Sequence, residues 1–245
     1  MEFKDQHVIV TGGTRGIGRA ISEAFLKAGA TVSANYQSNQ KAAEEFKESL
    51  GAQGERLFLH KFDVSKLDQV ENFFTIYDKK FPKVDVLVNS AGIRKDSIVG
   101  MMSEEDWDKV LDVNLKGCFL MSKFAVQRMS GQRYGRIINI TSPSGRLGFA
   151  GQGNYAASKA GMIGFTRSLS QEVAKRKITV NCVSPGFIDT ELLSDLPETL
   201  ANEYKNMVPM KRFGTPDEVS AGVMYLASTG AAYVTGSTLE ISGGL

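Results

Sequence analysis

Thr11-Gly12-Gly13-Thr14-Arg15-Gly16-Ile17-Gly18 follows the apolar run His7–Thr11 directly and opens an amphipathic stretch over 17–28. The sequence thus reads strand, glycine-rich turn, helix. Gly12 allows the tight turn, Gly16 lets the backbone approach a pyrophosphate, and Gly18 lets the helix pack closely on the strand. The first N–H groups of the helix have no partner within it, and its dipole is positive at that end, so Thr14 to Ile17 face any bound phosphate. A glycine turn without a ligand is the competing reading. The strand before it and the helix after it favour a dinucleotide fingerprint.

The pattern repeats outward from that turn. Apolar runs at 31–35, 57–60, 84–88, 136–141, 179–183 and 237–241 are rich in Val, Ile or Leu and lack polar alternation, as in strands buried on both faces of a parallel sheet. Between them lie helical stretches at 67–81, 104–129, 156–174 and 217–226. Six βα units and a last strand predict a doubly wound, Rossmann-type α/β fold: a parallel seven-stranded sheet with helices on both faces, as one domain over 1–245. Ligands of such sheets bind beyond the carboxyl ends of the strands. The polar or glycine-rich residues follow the strands repeatedly: Asn35-Tyr36-Gln37-Ser38, Asp63-Val64, Asn89-Ser90-Ala91-Gly92, Ser142 and Ser184-Pro185-Gly186. The least periodic segment, 187–213, reads as a mobile lid or as an ordinary surface excursion.

Composition excludes other classes. The 245 residues are 42% hydrophobic and 23% charged, which argues against disorder, collagen-like repeats and coiled coils. A net charge of +2, with no basic run interleaved with aromatics, argues against nucleic acid. Cys118 and Cys182 sit in apolar stretches and read as buried free thiols. His7 and His60 have no metal-ligand spacing and no recognisable catalytic setting, so no metal is expected. The chain opens on a strand, leaving no room for a signal peptide, and no apolar run approaches the roughly 20 residues of a membrane span. A soluble protein of a reducing compartment, the cytoplasm, is expected.

Gly-x-x-x-Gly-x-Gly, then Asn89-Ser90-Ala91-Gly92, Asn114, Ser142, Tyr155-x-x-x-Lys159 and Pro185-Gly186, stand in the order of the short-chain dehydrogenase/reductase family, and the resemblance spans the chain. Within that family it is most similar to the 3-oxoacyl-[acyl-carrier-protein] reductases of fatty-acid synthesis. Supporting segments are Gly151-Gln152-Gly153-Asn154-Tyr155, Val234-Thr235-Gly236 and Ser242-Gly243-Gly244. Asn89-Ser90 departs from the family's more usual pair of asparagines. The resemblance implies a nicotinamide cofactor held by Gly12, Thr14, Arg15, Gly16, Ile17, Gly18, Asn35, Ser38, Asp63, Val64, Asn89, Ala91, Gly92, Tyr155, Lys159, Pro185, Gly186, Ile188 and Thr190. Asp63 would meet the adenine; a cap for the following helix at Ser65 is the alternative.

The second strand ends without a carboxylate, so nothing repels a 2′-phosphate. Arg15 and Ser38 can bind one, which favours NADP (NADPH) over NAD. Tyr155 and Lys159 are four apart on a helix and share a face; an ammonium beside a phenol favours the phenolate. Ser142, thirteen residues before Tyr155, can donate a hydrogen bond to a carbonyl oxygen. Ser144 is the competing hydroxyl. Asn114 lies mid-helix by pattern, where its amide can interrupt the ladder. By resemblance Asn114, Ser142, Tyr155 and Lys159 form the catalytic set, with Asn114 completing a proton relay through Lys159. The implied reaction reduces a 3-oxoacyl-[acyl-carrier-protein] to its 3-hydroxyacyl form. Rivals are a reductase of acetoacetyl-CoA, a sugar or another small ketone, and an inactive NADP-binding regulator.

An acidic acyl carrier protein calls for a positive landing site. Two clusters offer one: Arg128, Arg133 and Arg136, and Lys175, Arg176 and Lys177. Arg133 and Arg176 match basic positions of the similar reductases; cations ending a helix also suit its dipole without any partner. The family implies a homotetramer. Val223, Tyr225, Leu226, Tyr233 and Leu239 would suit an interface, or simple core packing.

Overall fold

A computed structural model describes residues 2–191 and 197–245. Its strands form one parallel sheet in the order β3-β2-β1-β4-β5-β6-β7. They are β1 (His7–Thr11), β2 (Thr31–Tyr36), β3 (Leu57–Lys61), β4 (Val86–Asn89), β5 (Gly135–Ile140), β6 (Ile178–Pro185) and β7 (Thr238–Ile241). β1 has the expected bounds and the others shift by one or two residues. Every residue of β4, β5 and β6 is buried, which is why these runs show no polar alternation.

Successive strand residues feed opposite cores. On one face Val8, Val10, Val86, Val88 and Ile138 pack with Ile21 and Phe25 of α1 (Gly16–Lys27). On the other, Ile9, Leu87, Ile137 and Val180 meet Phe73, Phe74 and Tyr77 of α3 (Leu67–Asp78). Each such side chain stabilises the fold by about 1.5–3 kcal/mol on full burial. The helix α2 (Gln40–Ser49), between β2 and β3, starts at Asn39, whose side chain accepts from Ala42 N–H.

The continuous helix expected over 104–129 is interrupted. α4 (Glu104–Leu111) passes through a π-helical turn, Asp112–Lys116, into α5 (Gly117–Gln132). Asn114 lies at the centre of that turn, and its amide is tied to another segment, described below. After β5 come α6 (Ser144–Leu147) and the long α7 (Gly153–Val173). Part of the expected lid, 192–196, lies outside the described residues. The rest of that segment carries α8 (Glu198–Met207), none of whose residues is buried. α9 (Pro216–Ala227) opens with a capping box between Thr215 and Glu218.

Two groupings read from sequence come apart. Val223 and Leu226 of α9 belong to the core, while Tyr225 and Tyr233 are exposed; the packing alternative holds for the first two. Arg128 is paired with Asp78, and Arg136 is buried with its guanidinium on the carbonyl of Gly135. Of the first basic cluster only Arg133 is exposed. Among the described residues no helix is long and apolar enough to cross a membrane, and no cluster of side chains could hold a metal. Cys118 and Cys182 are free and buried, and burial pushes the Cys118 thiol up to about 12.

Candidate active site

The strand order reverses between β1 and β4, and the first turn and the 89–92 segment flank that crevice. One side chain joins them. Thr11 Oγ1 accepts the N–H groups of Ser90 and Ala91, each at 3.0 Å. A Cβ on Gly12, whose φ is 61°, would lie 3.0 Å from Ala91 Cα, so the two backbones meet only because Gly12 has no side chain. Asn35 accepts from Gly12 N–H at 3.3 Å and donates to Phe62 O at 2.7 Å. It braces the glycine turn with both ends of its amide.

The residues around α1 fit a dinucleotide's phosphates. Arg15 stands at the N-cap in extended conformation and its side chain makes no cap bond; the first turn of α1 carries no acid. The N–H groups of that turn are left without a side-chain cap, which suits an anion. A Cβ built on Gly16 would meet nothing nearer than Thr190 Cγ2 at 3.9 Å. Arg15 is exposed and forms no ion pair with the described residues. Ser38 is exposed in the turn after β2. Asp63 accepts from Ser65 N–H at 2.9 Å and from Gln37 at 2.9 Å, while α3 starts at Leu67 with Lys66 at its N-cap and no side-chain cap. Val64 is buried against Gly117. Asn89 donates to Asn139 Oδ1 at 2.8 Å while its own Oδ1 is buried without a partner among the described residues. Pro185 ends β6, Gly186 N–H bonds Ile241 O, and Ile188 is bridged to Gly214.

The four predicted catalytic residues come from three segments that meet beyond β4 and β5. Lys159 is buried, and its Nζ donates to Ile140 O at 2.8 Å, at the end of β5 and two residues before Ser142. The same Nζ lies 5.5 Å from the centre of the half-buried Tyr155 ring. Asn114 accepts from Ile93 N–H at 2.8 Å and donates to Ser158 Oγ at 3.0 Å. A Cβ on Gly92 would sit 3.3 Å from Asn114 Oδ1 and 3.6 Å from Lys159 Nζ, so Asn114, Gly92 and Lys159 are neighbours.

The competing hydroxyls are distinguished by their partners. Ser144 is buried and gives its proton to Gln152 Oε1 at 2.9 Å. Ser142 is only half-buried; it rests on Ser144 Oγ at 3.2 Å and accepts from Ser144 N–H. Ser142 is therefore the hydroxyl free to turn toward a ligand. Arg94 is paired with Asp96 and stands 5.7 Å from the centre of the Tyr155 ring. Burial opposes the guanidinium charge, but Asp96, and to a lesser extent Tyr155 and Tyr204, more than offset it and raise its pKa. The sequence reading assigned no role to Thr11, Arg94, Asn139 or Gln152. A polar residue inside a buried strand was the available signal for Thr11 and Asn139; nothing local marks the other two.

Arg133 and Arg176 are exposed at the ends of α5 and of the turn after α7. They precede β5 and β6, so they lie at the amino edge of the sheet, opposite Ser142.

Residues 12–245 match a family model described as Enoyl-(Acyl carrier protein) reductase. The chain is 41% identical over 241 residues to the 3-oxoacyl-[acyl-carrier-protein] reductase FabG of Staphylococcus epidermidis, covering 98% of this chain and 99% of that one. It is 41% identical to the protein of the same name from Aquifex aeolicus, over all of both chains. For the one from Salmonella typhimurium the figure is 42%, covering 100% and 99%. With that similarity along its whole length, the phosphate-binding turn at the sheet's crossover and the Ser142, Tyr155 and Lys159 cluster beside it, the chain belongs to the short-chain dehydrogenase/reductase family, oxidoreductases that use a nicotinamide cofactor.

Proposed function

We propose that this protein reduces a 3-oxoacyl thioester on acyl carrier protein to the 3-hydroxyacyl form, with NADPH as reductant, as one Rossmann-type unit over 1–245. The observation that carries the reading is the Lys159 ammonium held between Ile140 O and the Tyr155 ring, two residues from Ser142. The names of the relatives support the substrate class.

When bound, the reduced nicotinamide supplies a hydride to the ketone carbon. Ser142 Oγ–H turns from Ser144 and donates to the ketone oxygen. Tyr155 Oη gives its proton to that oxygen as it becomes an alkoxide, completing the alcohol. Lys159 Nζ holds the nicotinamide ribose and fixes Tyr155 on its helix. Asn114, through the π-helical turn, keeps the Lys159 end open to a proton relay. The pyrophosphate belongs at Gly12, Thr14, Gly16, Ile17 and Gly18, with Arg15 and Ser38 on the 2′-phosphate. Asp63, Val64, Asn89, Ala91 and Gly92 line the adenine and ribose side; Pro185, Gly186, Ile188 and Thr190 close the nicotinamide side. The relatives named as 3-oxoacyl-[acyl-carrier-protein] reductases favour a 3-oxoacyl substrate over the enoyl substrate in the family model's description.

The test is NADPH oxidation with acetoacetyl and crotonyl groups on acyl carrier protein. Turnover with the first and none with the second is expected. Turnover confined to the enoyl substrate, or absent with both, overturns the reading. A homotetramer in the cytoplasm belongs to the same proposal, and light scattering of the purified protein checks the assembly.

A further inference from the structure

Four aromatic rings gather beside the candidate site, away from the two hydrophobic cores. Phe187, just beyond β6, is the hub. It stacks on Tyr204 of α8 with ring centres 4.8 Å apart and planes 5° from parallel. Phe149, after α6, and Phe213 stand 6.3 Å from Phe187, tilted by 51° and 53°. All four residues are half-buried. The cluster adjoins the site through Phe149, whose carbonyl accepts from Gln152 N–H at 3.1 Å; Gln152 Oε1 in turn accepts from Ser144 Oγ, the partner of Ser142. Aliphatic side chains would bury a saturated acyl chain equally well. Rings add a further gain only for a flat π surface, through the match of their quadrupoles.

We propose that these rings select a 3-oxoacyl substrate whose chain carries a flat, aromatic or conjugated group beyond the ketone. This deepens the proposed reductase reading and rests on it. A ketone seated at Ser142 and Tyr155 leaves the distal chain against Phe187 and its neighbours. The stacking gain is worth about twofold to twelvefold in binding.

Two thioesters of N-acetylcysteamine test it: 3-oxo-5-phenylpentanoyl and 3-oxo-5-cyclohexylpentanoyl. They have the same carbon skeleton, and two methylenes insulate the ketone from the ring, so intrinsic reactivity is matched. With NADPH, the phenyl substrate should show a kcat/KM higher by about twofold to twelvefold, mostly through KM. Tyr204→Leu and Phe187→Leu should each shrink that preference. Turnover of the acetoacetyl thioester, too short to reach the rings, should stay unchanged in Tyr204→Leu. Equal kcat/KM for the pair, or a preference that survives both variants, overturns the proposal while acetoacetyl turnover upholds the reductase reading. Failure with all three thioesters and with acetoacetyl-acyl carrier protein overturns that reading instead.

Discussion

Lys159 donates from Nζ to the carbonyl oxygen of Ile140 at 2.8 Å, which ties the helix that carries Tyr155 to the strand that delivers Ser142. The same strand and helix are joined a second time by Asn139 Nδ2, which donates to Thr166 Oγ1 at 2.8 Å. Lys159→Ala removes the first tie and the proposed ribose contact together. It should lose activity and NADPH affinity in parallel, read by turnover and by fluorescence titration of the nucleotide. The unpaired Ile140 carbonyl should also lower stability by about 1–3 kcal/mol in urea unfolding. Unchanged NADPH binding would contradict the ribose role.

Tyr155→Phe removes one hydroxyl and keeps the ring between Arg94 and Lys159. Turnover should fall by at least about 10²-fold, the low end of general acid catalysis, with NADPH binding retained. Near-normal turnover in this variant takes Tyr155 out of the proton-donor role.

Arg15→Ala tests the choice of cofactor. The guanidinium is exposed and unpaired with the described residues. A charge-assisted bond to a 2′-phosphate contributes about 1.5–3 kcal/mol, so NADPH affinity should drop roughly tenfold to hundredfold. NADH affinity should barely change. Equal losses would assign Arg15 to loop support.

His60 lies against Phe73, with ring centres 4.9 Å apart, and its Nε2 has no partner among the described residues. Burial, helped by Lys80, pulls the imidazole down from its ordinary value to about 4. The unfolded chain protonates His60 near pH 6.5, as a free imidazole does. Between pH 6.5 and 4 the unfolded state therefore binds more protons, and stability falls as the pH falls. The contribution reaches at most about 3 kcal/mol near pH 4. His60→Phe should flatten the pH dependence of urea unfolding between pH 7 and 4.5. An unaltered slope would assign the acid sensitivity to other groups.

Arg133→Glu with Arg176→Glu tests the docking surface. Both side chains are exposed at the amino edge of the sheet, far from the chemistry. The double variant should raise KM for the carrier-bound substrate and spare a coenzyme A thioester of equal chain length. Salt should weaken carrier-bound turnover in the parent protein, since exposed charges are screened. Equal effects on both substrates would move the landing site elsewhere.

The fold class, the glycine turn and the order of the site segments are legible in the amino-acid string. Those features are local. Gly12, Gly16 and Gly18 act through spacing along one turn, and Tyr155 and Lys159 share a face because a helix repeats every 3.6 residues. Apolar runs buried on both faces announce a parallel sheet without reference to their partners. What each polar side chain meets depends on strand order, and there only the tertiary structure decides. Thr11 holds Ser90 and Ala91, 79 and 80 residues away, because β1 lies beside β4. Asn114 widens its helix by reaching Ile93 and Ser158. Asp78, fifty residues distant, removes Arg128 from the basic cluster, and the core removes Val223 and Leu226 from the proposed interface. Spacing from Tyr155 ranks Ser142 above Ser144 in the sequence, without saying what either hydroxyl meets. Only the fold brings Gln152 to one hydroxyl and leaves the other at the mouth of the site, because a hydrogen bond is set by three-dimensional proximity that no local period encodes.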